Sequence, residues 1–555
     1  MDLHLPGRDR LLLELDLTRP LADPPPPPGW QQVTQRSTPQ LRTTLAALRR
    51  AVDDRSVVGL ILRTGGPPQS LATAQELRAG LRRLRDAGKP VWAWAESYGE
   101  YGRGTVSYLV AAAADRVWLQ PSGELALTGV AAEATFLREG LDRLGVTSQL
   151  SARYEYKNAP NMFTERGFTP AHRAATTALV DSVANQVIDT LAADRGLSVE
   201  ALRECIDRAP LSASDALAAG LVDRVGYRDE IYAAMREQLG EVELRSLAHY
   251  AAHPPPRETV HRIVRRDRRR VGLVDVTGTI QLGSDGRGAG ARGAGSDRVC
   301  AALRAAAAAE EVAAVVLRVD SPGGSYTASD SIWRATTELR RQKPLVVSMA
   351  RVAASGGYYV AMSADRILAL PGTLTGSIGV FGGKFVFTDL LARLGIGHDF
   401  VAVGRAAVRH SPRVPFDATD LAALETMLDR IYADFTGKVA TARGLDAAAV
   451  DSVARGRVWT GADAVQCGLV DELGGLHEAA AVARQLAGLP VDAPVRRVPA
   501  LHPLAALRLP RSSEDPRAAR MSSWTPGWGA WGPLAALAQL PSGGPLTAPV
   551  TALIG

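Results

Sequence analysis

Between residues 312 and 350 the hydrophobic pattern changes period twice. VAAVVLRV (312–319) is an unbroken, largely β-branched apolar run, as in a strand covered on both faces of a parallel sheet. In TASDSIWRATTELRRQ, which follows, Ala328, Ile332, Ala335 and Leu339 recur at steps of four, three and four, giving a helix with one apolar face. LVVSMA (345–350) returns to strand character, and SGGYYVAMSA reads as the start of another helix. Short apolar strands also open each half of the chain, LLLELDL near 11–17 and VGLVDVTGTI near 271–280. Such alternation predicts α/β units on parallel sheets joined by right-handed crossovers.

The pattern is written twice. DAGKPVWAWAESYGEYGRGTVSYLVAAAADRVWLQPSGELALTGVAAEATFLREGLDRLGV in the first half runs beside RQKPLVVSMARVAASGGYYVAMSADRILALPGTLTGSIGVFGGKFVFTDLLARLGI in the second. Both carry KP, then ADR, then LxRLG. Asp115 and Asp365 are 250 positions apart, as are Gly145 and Gly395, and GLVD recurs at Gly220 and Gly468, 248 apart. A tandem duplication follows. The expected division is a first repeat over 1–250, a linker over 251–270, a second repeat over 271–490, and a Pro/Gly/Trp-containing extension over 491–555.

Composition narrows the class. With 555 residues and 46% apolar content the chain can bury more than one core. The net charge of +6 is small for this length, and its local excess lies in Arg265, Arg266, Arg268, Arg269 and Arg270, beside the prolines at 254–256. No aromatics are interleaved there for base stacking, so the run reads as a solvated linker and no nucleic-acid partner is expected. Cys205, Cys300 and Cys467 are odd in number, far apart and outside any CxxC, which suits reducing surroundings and suggests neither disulfides nor a thiolate metal site. No stretch reaches the ~18–20 apolar residues of a membrane span, and Leu11–Leu13 is too short for a signal-peptide core. A cytoplasmic protein is expected, with Trp524, Trp528 and Trp531 in the tail as the candidate for a peripheral membrane or oligomer contact.

The candidate chemistry sits in the second repeat. SPGGS (321–325) follows a strand, and Ser355 in AASGGYY stands between a strand and a helix. Either alone is weak, since Gly-rich turns are common and a serine before a helix is usually its cap. Together they form an acyl-transfer pattern: Ser355 at a helix start, the Gly356 N–H beside it, and Gly323 free to bring a second N–H to the same oxyanion. The first repeat serves as an internal control. There GPPQS (66–70) puts Pro68, which has no N–H, opposite Gly323, and Thr105 stands opposite Ser355. A serine nucleophile also needs a base. No histidine lies in a segment shared by both repeats near this pattern, which leaves lysine, provided burial makes it neutral. Lysine is scarce in this Arg-rich chain, and Lys157 in ARYEYKNAPNMF is the candidate; its counterpart in the second repeat is Ala407. Nucleophile and base thus survive in different repeats and are expected to meet where the repeats adjoin.

LRVDSPGGS, VAASGGYY, TLTGSIGVFG, RVWTGADAVQCGLVD and YEYKNAPNMF, within 50–485, resemble the long, duplicated form of bacterial signal peptide peptidase A. The resemblance implies two ClpP-like, crotonase-type α/β repeats, Ser355 as nucleophile, Lys157 as general base, Ser377 of TGSIG as the hydroxyl that holds the lysine, and Gly323 and Gly356 as oxyanion donors. It implies no cofactor, apolar peptides such as remnant signal peptides as substrates, and a homotetramer. The chain departs from that family in lacking its usual N-terminal anchor and in reading YKNA where YKSA is typical. Two other readings compete: an acyl-CoA hydratase or isomerase of the crotonase type, which would need catalytic carboxylates, and a scaffold that has lost activity.

Overall fold

The computed structural model describes residues 10–23, 39–67, 69–100, 102–253, 269–284, 287–288, 291–498 and 546–547. Pro68, the prolines at 254–256, Arg265, Arg266, Arg268 and the tail tryptophans lie outside the described residues. The chain forms two compact units. The first takes the described residues up to Ala131 and those from Asp181 to 253; the second takes Ala132–Val180 and the described residues from 269 onward. The linker expected over 251–270 is entered by a helix ending at Ala252 and left by a strand that begins at Arg270.

In the first unit six parallel strands lie in the order Arg224–Val225, Arg116–Leu119, Val91–Ala95, Val57–Arg63, Leu11–Asp16, Glu243–Ser246. The second repeats that order with Glu472–Leu473, Arg366–Ala369, Leu345–Ala354, Val312–Ser321, Arg270–Thr277 and Val495–Arg497. The expected α/β class with parallel sheets is therefore present, and the duplication extends to strand order. The predicted apolar runs are the strands, and the helix expected after SPGGS spans Tyr326–Arg340 and buries Ala328, Ile332 and Leu339.

The shared landmarks build this scaffold. Asp115 accepts the Val91 N–H at the start of its strand and Asp365 that of Leu345, each at 2.8 Å. Lys89 and Lys343 of the two KP pairs donate to carbonyls near a preceding helix end, those of Ala51 and Asp54 in the first unit and of Ala306 and Ala309 in the second. Such contacts satisfy terminal carbonyls that the helix leaves open. The last residue of each GLVD, Asp223 or Asp471, accepts the N–H of the second residue of the strand that starts at the arginine of ADR, from Val117 at 2.6 Å and Ile367 at 2.7 Å.

The division 1–250 and 271–490 does not describe how the chain packs, because residues 132–180 group with the second unit. The strand Thr147–Arg153 pairs antiparallel with Val380–Val386, from Val386↔Thr147 to Val380↔Arg153. Ion pairs from Arg153 to Glu425 and Asp429 and an edge-to-face pair of Phe163 and Phe385, 5.1 Å between centroids, hold it. A strand's own pattern specifies which face it buries but not the sheet edge it joins.

Candidate active site

Ser355 occupies the corner between the strand Leu345–Ala354 and the helix Gly356–Ala361. Its backbone is left-handed, φ 56°, ψ −115°, held by its own N–H bonded to the Gly376 carbonyl at 2.8 Å and by its carbonyl accepting the Tyr359 N–H at 2.9 Å. A non-glycine residue in this region costs about 1–3 kcal/mol and persists only where its surroundings over-determine it. The two glycines that follow let the SPGGS segment close on the corner. A Cβ on Gly356 would come 2.7 Å from Ser329 Oγ and 3.1 Å from Gly323 Cα, and one on Gly357 would collide with the Ser321 carbonyl. As the first residue of the helix, Gly356 has an N–H that the intrahelical ladder cannot use.

Gly323 lies in the left-handed region with φ 99°, and its N–H donates to Ser321 Oγ at 3.1 Å. Gly323–Gly324 form a short strand that pairs in parallel with Ile280 on one side. On the other, Leu546–Thr547 pairs with it antiparallel, in the register Gly323↔Thr547 and Gly324↔Leu546.

Lys157 follows the strand Thr147–Arg153, so the segment Ala132–Val180 carries it in the unit that holds Ser355. Its Nζ donates to Ser355 Oγ at 2.8 Å, Ser377 Oγ at 3.0 Å and the Ser377 carbonyl at 3.2 Å. All three side chains are buried. Loss of hydration disfavours the ammonium form, and burial alone lowers the lysine pKa from 10.5 to about 7. Nζ and Oγ are thus within proton-transfer distance, with the amine about half neutral near pH 7. Among the described residues no carboxylate bonds to Ser355, Lys157 or Ser377. The three cysteines are free, two of them buried.

The model of peptidase family S49 matches this chain over residues 83–243 and 337–490. The chain belongs to peptidase family S49. Membership makes it a serine protease, and the match has one segment in each half of the sequence. Protease 4 of Salmonella typhi is 32% identical over 80% of this chain and 71% of its own length. Protease 4 of Haemophilus influenzae is 30% identical over 81% and 73%, and the chloroplastic serine protease SPPA of Arabidopsis thaliana 26% identical over 85% and 69%. Among solved structures, a ClpP1 mutant from Listeria monocytogenes matches 38% of this chain and 94% of its own, with 13% identity and a TM-score of 0.25. No helix of this S49 chain is long and apolar enough, among the described residues, to cross a membrane.

The structure brings Ser355, Lys157 and Ser377 together, with Gly323 and Gly356 against the same corner. Sequence reasoning missed Arg455, Gly456 and Arg457, whose turn packs on Lys157. Their signal was the glycine in RGR just before VWTG, which alone has no chemistry to read.

Proposed function

We propose that this S49 peptidase is an endopeptidase working through a Ser355/Lys157 dyad on extended apolar peptides, such as remnant signal peptides. The observation that carries the reading is the 2.8 Å contact between the hydroxyl of a strained serine and a buried lysine with a pKa of about 7. Neutral Lys157 takes the Ser355 proton as Oγ attacks the peptide carbonyl. The Gly356 N–H and the Gly323 N–H, which leaves its bond to the Ser321 hydroxyl, receive the oxyanion, a charged and hence stronger acceptor. Protonated Lys157 then hands its proton to the departing amine. Water repeats the cycle on the acyl-enzyme, with Lys157 again as base. Ser377 keeps Nζ pointed at Oγ throughout.

Pairing of Gly323–Gly324 with an antiparallel segment supports an extended peptide as substrate, since backbone bonds of this kind accept any sequence and leave selection to side-chain pockets. The apolar surroundings of the corner support small or aliphatic side chains. Exposed Leu394, Ile396, Phe400, Val401 and Val403 lie on one segment, the kind of surface that subunit contacts bury, which supports self-association, with the homotetramer as the form the resemblance implies. Among the described residues no carboxylate bonds to Ser355, Lys157 or Ser377, which weighs against the hydratase reading. Labelling with a fluorophosphonate and locating the adduct by peptide mass spectrometry tests the assignment. The adduct is expected on Ser355; undiminished peptide hydrolysis by a folded Ser355→Ala variant would overturn it.

A further inference from the structure

Among the described residues, three other than glycine have a positive φ: Ser355 at 56°, Ser377 at 50° and Arg455 at 57°. The first two carry the attacking and orienting hydroxyls. Arg455 belongs to neither role, yet its backbone has the same positive φ, which a residue with a Cβ adopts rarely and keeps where its surroundings impose it.

Its surroundings show what is being imposed. Arg455 and Gly456, with φ 87°, turn the chain after the helix Ala447–Val453. A Cβ on Gly456 would lie 2.6 Å from Lys157 Cα and 2.7 Å from its Cβ, so the turn rests directly on the backbone of the lysine. The Arg455 guanidinium makes a two-pronged pair with Glu155, Nε–Oε1 3.0 Å and Nη2–Oε2 2.9 Å, and lies 4.5 Å over the Tyr154 ring. Its carbonyl accepts the Tyr156 N–H at 3.2 Å, and its own N–H donates to the Tyr432 hydroxyl at 3.2 Å. Gly456 donates to the Ile378 carbonyl at 2.8 Å. Arg457 lies 4.2 Å over the Tyr156 ring, and its carbonyl accepts the Ser377 N–H at 2.7 Å. Three consecutive residues therefore grip the Tyr154–Lys157 segment on one side and the Ser377 turn on the other.

We propose that the turn Arg455–Gly456–Arg457 is the positioning device of the general base: it presses the Lys157 backbone to its depth, ties it to Ser377, and so sets the reach of Nζ to Ser355. The proposal deepens the Ser/Lys reading and rests on it. Charged groups around the segment, among the described residues, include Arg153 with its partners Glu425 and Asp429, Glu155, Asp451, Arg455 and Arg457, with the phenols of Tyr154, Tyr156 and Tyr432. Among the described residues the Lys157 Nζ bonds only to Ser355 and Ser377. Glu155 is held below the usual carboxylate range by the Arg455 hydrogen bonds, so it stays ionised through neutrality and does not itself titrate there.

Substituting Gly456→Ala in the full chain tests this. A displaced Lys157 is expected to lower kcat by about 100-fold, the cost of an ångström-scale misplacement, while leaving KM within about twofold. With less burial the lysine pKa rises toward its ordinary value, so the acid limb of the pH–kcat profile moves to higher pH. Arg455→Met is expected to move both quantities the same way by a smaller amount, and Arg455→Lys to recover part of the loss by restoring the charge. These Arg455 variants carry the test if Gly456→Ala does not fold. A folded variant with an unmoved pH limb, or with KM rising as kcat falls, would overturn the proposal. Lys157→Met separates the two readings. If it keeps wild-type turnover and pH limb, the base assignment fails; if it is inactive while the turn variants behave as wild type, only the positioning role fails.

Discussion

Thr105 in the first unit is buried inside the first turn of its helix and spends its hydroxyl on the Gly129 carbonyl at 3.3 Å. In the second unit the equivalent Ser355 stands outside its helix at φ 56°, gives its backbone N–H to Gly376, the counterpart of Gly129, and leaves its hydroxyl to Lys157. Ser377, next after Gly376, has Val130 in its place in the first unit. Gly356 and Gly357 are matched by Val106 and Ser107, and Ser107 Oγ bonds the Gly66 carbonyl at 3.1 Å instead of making room for a strand. Meanwhile Lys89 and Lys343, Asp115 and Asp365, and Asp223 and Asp471 do the same structural work in both units. What the two units share is scaffold, and what they do not share is chemistry. The two units have the same sheet order because its determinants are local caps and apolar runs present in both, whereas the Ser355, Lys157 and Ser377 contacts depend on single side chains found in one unit alone.

The comparison breaks most severely at Ser355. Ser355→Ala is expected to reduce peptide hydrolysis by about 10³-fold or more while the thermal melt stays close to that of the parent, because only one oxygen leaves a corner held by backbone bonds. Lys157→Met is expected to match that loss in turnover. It should also alter stability against pH. With a folded pKa of about 7 and an unfolded one near 10.5, the unfolded chain binds more protons between those values, so parent stability rises with pH across that window. Methionine removes this dependence, and urea melts at pH 7 and pH 9.5 should converge for the variant; parallel curves for parent and variant would show that the lysine is not buried as a neutral base.

Next in size is the pH profile itself. Turnover in the parent is expected to rise with an apparent midpoint near 7 as Lys157 deprotonates, read from kcat at saturating peptide. Ser377→Ala removes the hydroxyl that the first unit lacks at Val130 and should cost about tenfold in kcat, since the lysine keeps its bond to the residue 377 carbonyl. The smallest effect belongs to the first unit. Thr105→Ala should leave turnover unchanged and cost about 1 kcal/mol in denaturant unfolding, the size of one hydroxyl bond.

Strands, the Tyr326–Arg340 helix and the duplication were legible because period and spacing are local properties. Ser355 and Gly323 stood out because glycine beside a strand end announces close approach, and Lys157 because the other repeat has alanine, Ala407, in its place. Arg455 stayed silent: its left-handed backbone and its grip on Glu155, 300 positions away, leave no periodic trace. By itself the sequence determined the α/β class, the repeat and the residue types for acyl transfer, all of which follow from patterns a few residues long or from comparing the chain with itself. Only the tertiary structure decided that 132–180 adds its strand to Val380–Val386, and with it that Lys157 lies in the same unit as Ser355. It also decided the depth of burial that lowers the pKa of that lysine, because the edge a strand joins and the water a side chain loses are set by residues far away in the chain.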